Sequence, residues 1–206
     1  MYKINKCNQA FLIVTLLVVL IGCNSHKLAP LESDDVILAF GDSLTVGVGT
    51  TKQNSYPSVL SDLSGLNIIN SGVSGETSDK GLKRLPSELD RIFPDLLILI
   101  EGGNDILQNR RQSEIKKNIE DMIQLANNRG VPVVLIGIPE KNLFSSSAPF
   151  YEELADQYKL VFDGSLIGGL QRSPQLKSDI IHFNNKGYRK MAESIYKLLQ
   201  ENGALQ

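Results

Sequence analysis

The chain predicts an α/β domain: a three-layer α/β/α sandwich built on a five-stranded parallel sheet. Two observations carry that prediction. Five short runs rich in Val, Ile and Leu are continuous rather than alternating, as strands buried on both faces should be. Stretches of helical periodicity fall between them, the alternation that places helices over both faces of a parallel sheet. With 206 residues, the chain is long enough to bury one substantial core.

Taken in order, the strands are VILAF (36–40), LNIIN (66–70), DLLILI (95–100), VPVVLIGI (131–138) and KLVF (159–162). Between the third and fourth, residues 112–129 place Ile115, Ile119, Met122, Ile123 and Ala126 on one helical face, with Gly130 as the stop. After the fifth, residues 186–202 do the same with Tyr188, Met191, Ala192, Ile195, Leu198 and Leu199, ended by Gly203. The stretches 55–64 and 77–92 are weaker helices, the second interrupted by Pro86.

Ahead of the first strand the chain reads differently. Lys3 and Lys6 precede an apolar run from Ala10 to Ile21 that is 12 residues long. Spanning a bilayer takes about 20, so the run suits the apolar part of a signal peptide. Leu20-Ile21-Gly22-Cys23 resembles the lipobox of bacterial lipoproteins. That resemblance implies a signal peptide over 1–22, acylation of Cys23, an acylated tether over 23–34 and a folded domain over 35–206. It also implies a cell-envelope location, anchored in the membrane through Cys23. Asn24 after the cysteine implies the periplasmic side of the outer membrane where a cell has one. With Cys7 removed and Cys23 acylated, no thiol remains for a disulfide.

Without Lys3 and Lys6 the 21 basic residues fall to 19 against 23 acidic ones, a net charge of −4. Such a balance argues against nucleic acid as a partner. Metal binding has little to stand on, because the domain holds one histidine, no free cysteine and no clustered carboxylates. His26 falls in the tether and reads as solvated, which leaves His182 as the domain's own imidazole.

In open α/β sheets the ligand site lies outside the carboxyl ends of the strands. Four segments at such ends carry chemistry: FGDSLT (40–45), NSGVSGETS (70–78), EGGND (101–105) and DIIH (179–182). Other patterns fail. GVG (47–49) has no following G-K-S/T to make a phosphate loop. GVSGE (72–76) lacks the last glycine of a G-x-S-x-G elbow, which excludes Ser74 as that kind of nucleophile.

Together the four segments resemble the SGNH (GDSL) hydrolase family, over about 36–199. The stretch GETSDKGLKRLP (75–86) is similar to the branch of bacterial thioesterase/lysophospholipases and arylesterases. The resemblance implies a flavodoxin-like fold, a serine esterase without cofactor, and a small ester or lipid as substrate. It assigns Ser43 as nucleophile, Asp179 and His182 as its partners, and Ser43, Gly72 and Asn104 as the oxyanion hole.

The chemistry needs those groups independently of the name. A serine hydroxyl is a poor nucleophile until a neighbouring base takes its proton. His182 supplies the imidazole, and Asp179 can fix its tautomer and stabilise the imidazolium. Backbone amides and the Asn104 side chain can hold the oxyanion that forms. Asp42, Glu101 and Asp105 read instead as turn and helix-cap residues. Two departures from the family stand out: Phe183 follows His182 where proline is usual, and Tyr56-Pro57 replaces Trp-Pro. TTKQNSYP (50–57) and EKNLFSSSAPF (140–150) follow strands one and four and are expected to shape the pocket. A carbohydrate O-acetyl esterase uses the same catalytic groups and is the alternative enzyme. A non-catalytic binding lipoprotein is the alternative outside catalysis.

Overall fold

The computed structural model describes residues 28–141 and 146–206. The signal segment, Cys23 and His26 lie outside the described residues. Five parallel strands form one sheet: β1 (Val36–Gly41), β2 (Asn67–Gly72), β3 (Leu96–Ile100), β4 (Val133–Ile136) and β5 (Val161–Asp163). Their order is β2-β1-β3-β4-β5, the flavodoxin-like arrangement that the family resemblance implies.

The hydrophobic runs explain which strands are central. Every residue of β3 is buried, as are Ile37 to Phe40 of β1 and all of β4. At the edge, β2 is only half-buried and runs two residues further than predicted, because Ser71 and Gly72 stay in register with Phe40 and Gly41.

Eight α-helices accompany the strands among the described residues: α1 (Ser43–Val46), α2 (Tyr56–Ser64), α3 (Ser78–Ile92), α4 (Gly103–Leu107), α5 (Gln112–Asn127), α6 (Pro149–Tyr158), α7 (Leu166–Gln171) and α8 (Asn185–Glu201). Helices α2 and α7 pack with α8, whereas α3 and α6 pack with α5. Right-handed crossovers account for this division. The chain moves one way from β1 to β2, then reverses across β1 to reach β3, β4 and β5.

Two predicted boundaries shift for physical reasons. Helix α3 continues through Pro86 instead of breaking. A proline inside a helix costs about 3 kcal/mol, and here the burial of Leu85 and Leu89 on either side of it opposes that cost. The segment expected to be a tether is bound to the domain from Leu28 onward. Leu28 is buried, its N–H donates to Asn202 O at 3.1 Å, and Leu31 N–H donates to Ala204 O at 2.9 Å.

The reversal between β1 and β3 opens a crevice at their carboxyl ends, since their connections leave in opposite directions. Ser43 follows β1 and Asn104 follows β3, so both sit at that point.

Candidate active site

The turn that carries Ser43 is built locally. Asp42 caps α1 by accepting the Leu44 N–H at 3.0 Å, and its carbonyl accepts from Thr45 and Val46. Gly47, at φ 87°, ends the short helix in the left-handed region. A Cβ at Gly72 would stand 2.3 Å from Val46 N, so this glycine lets α1 lie directly on β2. Ser43 is thereby held nearly buried with its Oγ facing the crevice mouth.

From the other side comes the loop between the 3₁₀ turn at Pro174–Leu176 and α8. Asn184 ties it down. Its Oδ1 accepts from Lys186 and Gly187 to cap α8, and its Nδ2 donates to Gln175 O and Lys177 O. Ser178 N–H closes the loop onto His182 O at 3.0 Å. Phe183, fully buried, meets the Tyr188 ring edge-on with centroids 5.6 Å apart. Packing therefore holds the residue after His182 in the absence of a proline.

The two segments bring Ser43, His182 and Asp179 together. Ser43 Oγ and His182 Nε2 are 2.9 Å apart, and His182 Nδ1 and Asp179 Oδ2 are 2.7 Å apart. The second contact leaves Nε2 to accept the serine proton when Nδ1 carries the ring hydrogen. Asp179 Oδ1 accepts the backbone N–H groups of Ile181 and His182, both at 2.7 Å. The His182 backbone N–H, above all, lowers the Asp179 pKa to about 2. Asp179 is thus a carboxylate at neutral pH.

The oxyanion donors fall out differently from expectation. Ser43 N–H has no acceptor among the described residues. Asn104 donates through Nδ2 to Glu76 O at 2.8 Å and, more loosely, to Asp42 Oδ2 at 3.3 Å. Gly72 N–H, however, is directed to Asn70 Oδ1 at 3.0 Å and is not free to meet an oxyanion. Three residues on, Gly75 takes φ 76° in the turn closed by Glu76 N–H and Val73 O. Its own N–H has no acceptor among the described residues, and it precedes the Glu76 carbonyl that holds Asn104. A positive φ next to the Asn104 anchor is a signal that the spacing of glycines alone could not provide.

The neighbouring acids serve structure. Asp105 accepts from both Ser78 N–H and Ser78 Oγ, at 2.7 and 2.9 Å, at the start of α3. Burial pushes the Asp42 carboxyl up to about 6. Glu101 departs from its expected capping role: it is fully buried, neither carboxyl oxygen has a partner, and burial raises its pKa well above the usual range. It does contribute its backbone carbonyl, which accepts from Tyr151 Oη at 2.7 Å.

Beside Ser43 lies a cavity of about 270 Å³. Leu44, Ile106, Leu107, Ile138, Ile180 and Ile181 supply its apolar wall. Glu140 and Lys141 reach it from the segment after β4, part of which (142–145) lies outside the described residues. Residues 50–57 do not line it. They buttress the nucleophile turn instead, since a Cβ at Gly47 would meet Ser55 Cβ at 2.6 Å.

A buried serine, an imidazole and a carboxylate in relay at a strand-end crevice define the class of serine hydrolases. The profile described as the GDSL-like Lipase/Acylhydrolase family matches residues 39–190, and the chain belongs to that family. Its relatives include an arylesterase of Vibrio mimicus, 35% identical over a stretch covering 52% of this chain and 56% of that protein. Thioesterase 1/protease 1/lysophospholipase L1 of Escherichia coli K12 is 26% identical, with 81% of this chain and 84% of that protein covered. In fold, the crystal structure of TesA superposes with a TM-score of 0.72 at 24% identity, over 82% of this chain and 99% of that one.

Proposed function

We propose that the protein is a serine esterase that hydrolyses carboxylic esters or thioesters with a modest acyl chain through an acyl-enzyme on Ser43. One observation carries the reading: the relay from Ser43 Oγ through His182 to Asp179, at 2.9 and 2.7 Å. His182 takes the Ser43 proton as Oγ attacks the acyl carbon, and Asp179 stabilises the imidazolium. The developing oxyanion is met by Ser43 N–H and by the Asn104 amide hydrogen now shared loosely with Asp42. We assign the third donor to Gly75 N–H, in place of Gly72. His182 returns its proton to the leaving alcohol or thiol. Water then cleaves the acyl-enzyme by the same steps in reverse.

Support for the substrate class comes from the cavity. At about 270 Å³ it falls just short of the roughly 300–1,000 Å³ of typical small-molecule pockets. Its isoleucine and leucine wall suits an acyl chain better than a sugar ring, which needs a hydrogen-bonding lining. That favours the esterase or thioesterase reading over a carbohydrate O-acetyl esterase. The names of the relatives, arylesterase and thioesterase/lysophospholipase, point the same way. Cys23 carries the lipid anchor in this reading, and the protein is held at the cell envelope.

Hydrolysis of p-nitrophenyl esters from acetate to palmitate tests the reading. A maximum at butyrate to octanoate is expected. Activity confined to acetate would favour the carbohydrate esterase.

A further inference from the structure

The domain has two ends, and they differ. At the carboxyl ends of the strands lies the crevice, where the exposed Leu107 and Ile180 line the cavity beside Ser43. At the opposite end stands Phe93, 78% exposed. It is also one of only three non-glycine residues with positive φ among the described residues, at 50°. That conformation costs an ordinary residue about 1–2 kcal/mol, and exposing a phenyl ring forgoes its burial energy. As the C-cap of α3, Phe93 offsets the first cost by donating its N–H to Leu89 O at 3.0 Å, but the exposed ring recovers nothing from the second.

Phe93 shares its end of the molecule with the start of the described chain. Two residues on, Asp95 exchanges hydrogen bonds with Val36 at the beginning of β1, both at 2.8 Å. Leu28 is bonded to Asn202, just past the end of α8. Helix α8 begins next to the His182 loop and runs 17 residues to this end, about 25 Å at 1.5 Å per residue. From Cys23 to Leu28 is five residues, at most about 18 Å when fully extended. A bilayer that holds a lipid on Cys23 therefore cannot cap the end of the domain that bears the crevice. Beside Phe93, Arg129 pairs with Asp90 at 2.9 Å, and the Asp95 carboxylate is engaged by the Val36 N–H.

We propose that the end bearing Phe93 rests on the anchoring bilayer, with the ring in the interface, and that the crevice opens to the aqueous side. Aromatic rings favour that boundary. The inference rests on the reading of Cys23 as the lipid anchor. It names the source of substrate: esters arriving from solution, not lipids of the bilayer that holds the enzyme.

The chain contains no tryptophan, so one substitution creates a single reporter. Phe93→Trp and Ile180→Trp are made in the intact lipidated chain and reconstituted in phosphatidylethanolamine/phosphatidylglycerol vesicles with brominated acyl chains. Trp at position 93 should shift to the blue and lose most of its emission, whereas Trp at position 180 should keep its emission. Quenching at 180 instead of 93, or at neither, overturns the inference. Flotation and p-nitrophenyl butyrate turnover are read on the same samples. A chain that fails to float removes the anchor and this inference with it. Quenching at 93 with no ester turnover counts against the esterase reading alone.

Discussion

Tyr188 Oη donates to Val48 O at 2.8 Å, joining the helix behind the His182 imidazole to the turn behind Ser43. Val48 N–H in turn donates to Ser43 O at 3.0 Å. The same Tyr188 ring packs on Phe183, the residue after His182. Two segments separated by about 140 residues of sequence thus share one strut, and the Ser43–His182 distance depends on it.

Tyr188→Phe keeps the ring and removes the hydroxyl, leaving Val48 O without that donor. Losing one such hydrogen bond is worth about 1 kcal/mol, so kcat should fall roughly 5- to 10-fold with KM little changed. Phe183→Ala also opens a cavity in the core and should lower stability by about 3–5 kcal/mol. Phe183→Leu should recover most of both losses. Steady-state kinetics and thermal melts of the three variants check this.

Removal of the relay members should be far more severe. Ser43→Ala and His182→Ala should each lower kcat by about 10⁴-fold or more. Asp179→Asn, which favours the wrong imidazole tautomer, should cost about 10³–10⁴-fold. All three should melt within a few degrees of the parent, because the loop's own closure and the Asn184 cap are untouched.

Asn104→Ala should reduce kcat by about 10²–10³-fold, the usual effect of losing an oxyanion donor. Gly72→Ala should fail differently. Its Cβ would stand 2.3 Å from Val46 N, so the fold and the nucleophile turn must shift. A lower melting temperature together with lost activity separates this packing role from a donor role.

The buried acids predict a particular pH dependence. Asp42 and Glu101 have pKa values raised on folding, chiefly by burial. Each takes up a proton as the chain folds at intermediate pH. Its contribution to stability is therefore full below the unfolded value and is lost as pH rises towards the folded one. For Asp42 that window runs from 3.8 to about 6. Asp179, lowered to about 2, acts in the opposite sense, losing its contribution as pH falls below its unfolded value of 3.8. Glu101→Gln should raise the melting temperature at neutral and alkaline pH and flatten its decline from acid. An unchanged slope would mean that Glu101 is ionised in the fold.

Much of this was legible in the sequence because it is written in local patterns. Continuous apolar runs gave five strands, and a strand running into Gly41-Asp42-Ser43 put Ser43 at the strand-end crevice, where it meets His182. Asp179 and His182, three residues apart, could be oriented by one short loop. What escaped was set by contacts between distant segments. Whether Gly72 or Gly75 has a free N–H depends on where the Asn70 side chain turns. The isolation of the Glu101 carboxyl depends on the close approach of α3, where a Cβ at Gly81 would stand 2.9 Å from Glu101 Oε1. Pro86 masked a helix whose stability comes from burial, and the polar residues before Asp35 concealed a docked Leu28.

The central claim is that Ser43 carries the acyl group. Its most direct test is mass spectrometry of the protein quenched in acid during turnover of p-nitrophenyl butyrate, with Ser43→Ala alongside. The account predicts a butyryl adduct on the peptide containing Ser43 and none on the variant. Ester turnover by Ser43→Ala at the parent rate, or an adduct on another residue, would contradict it.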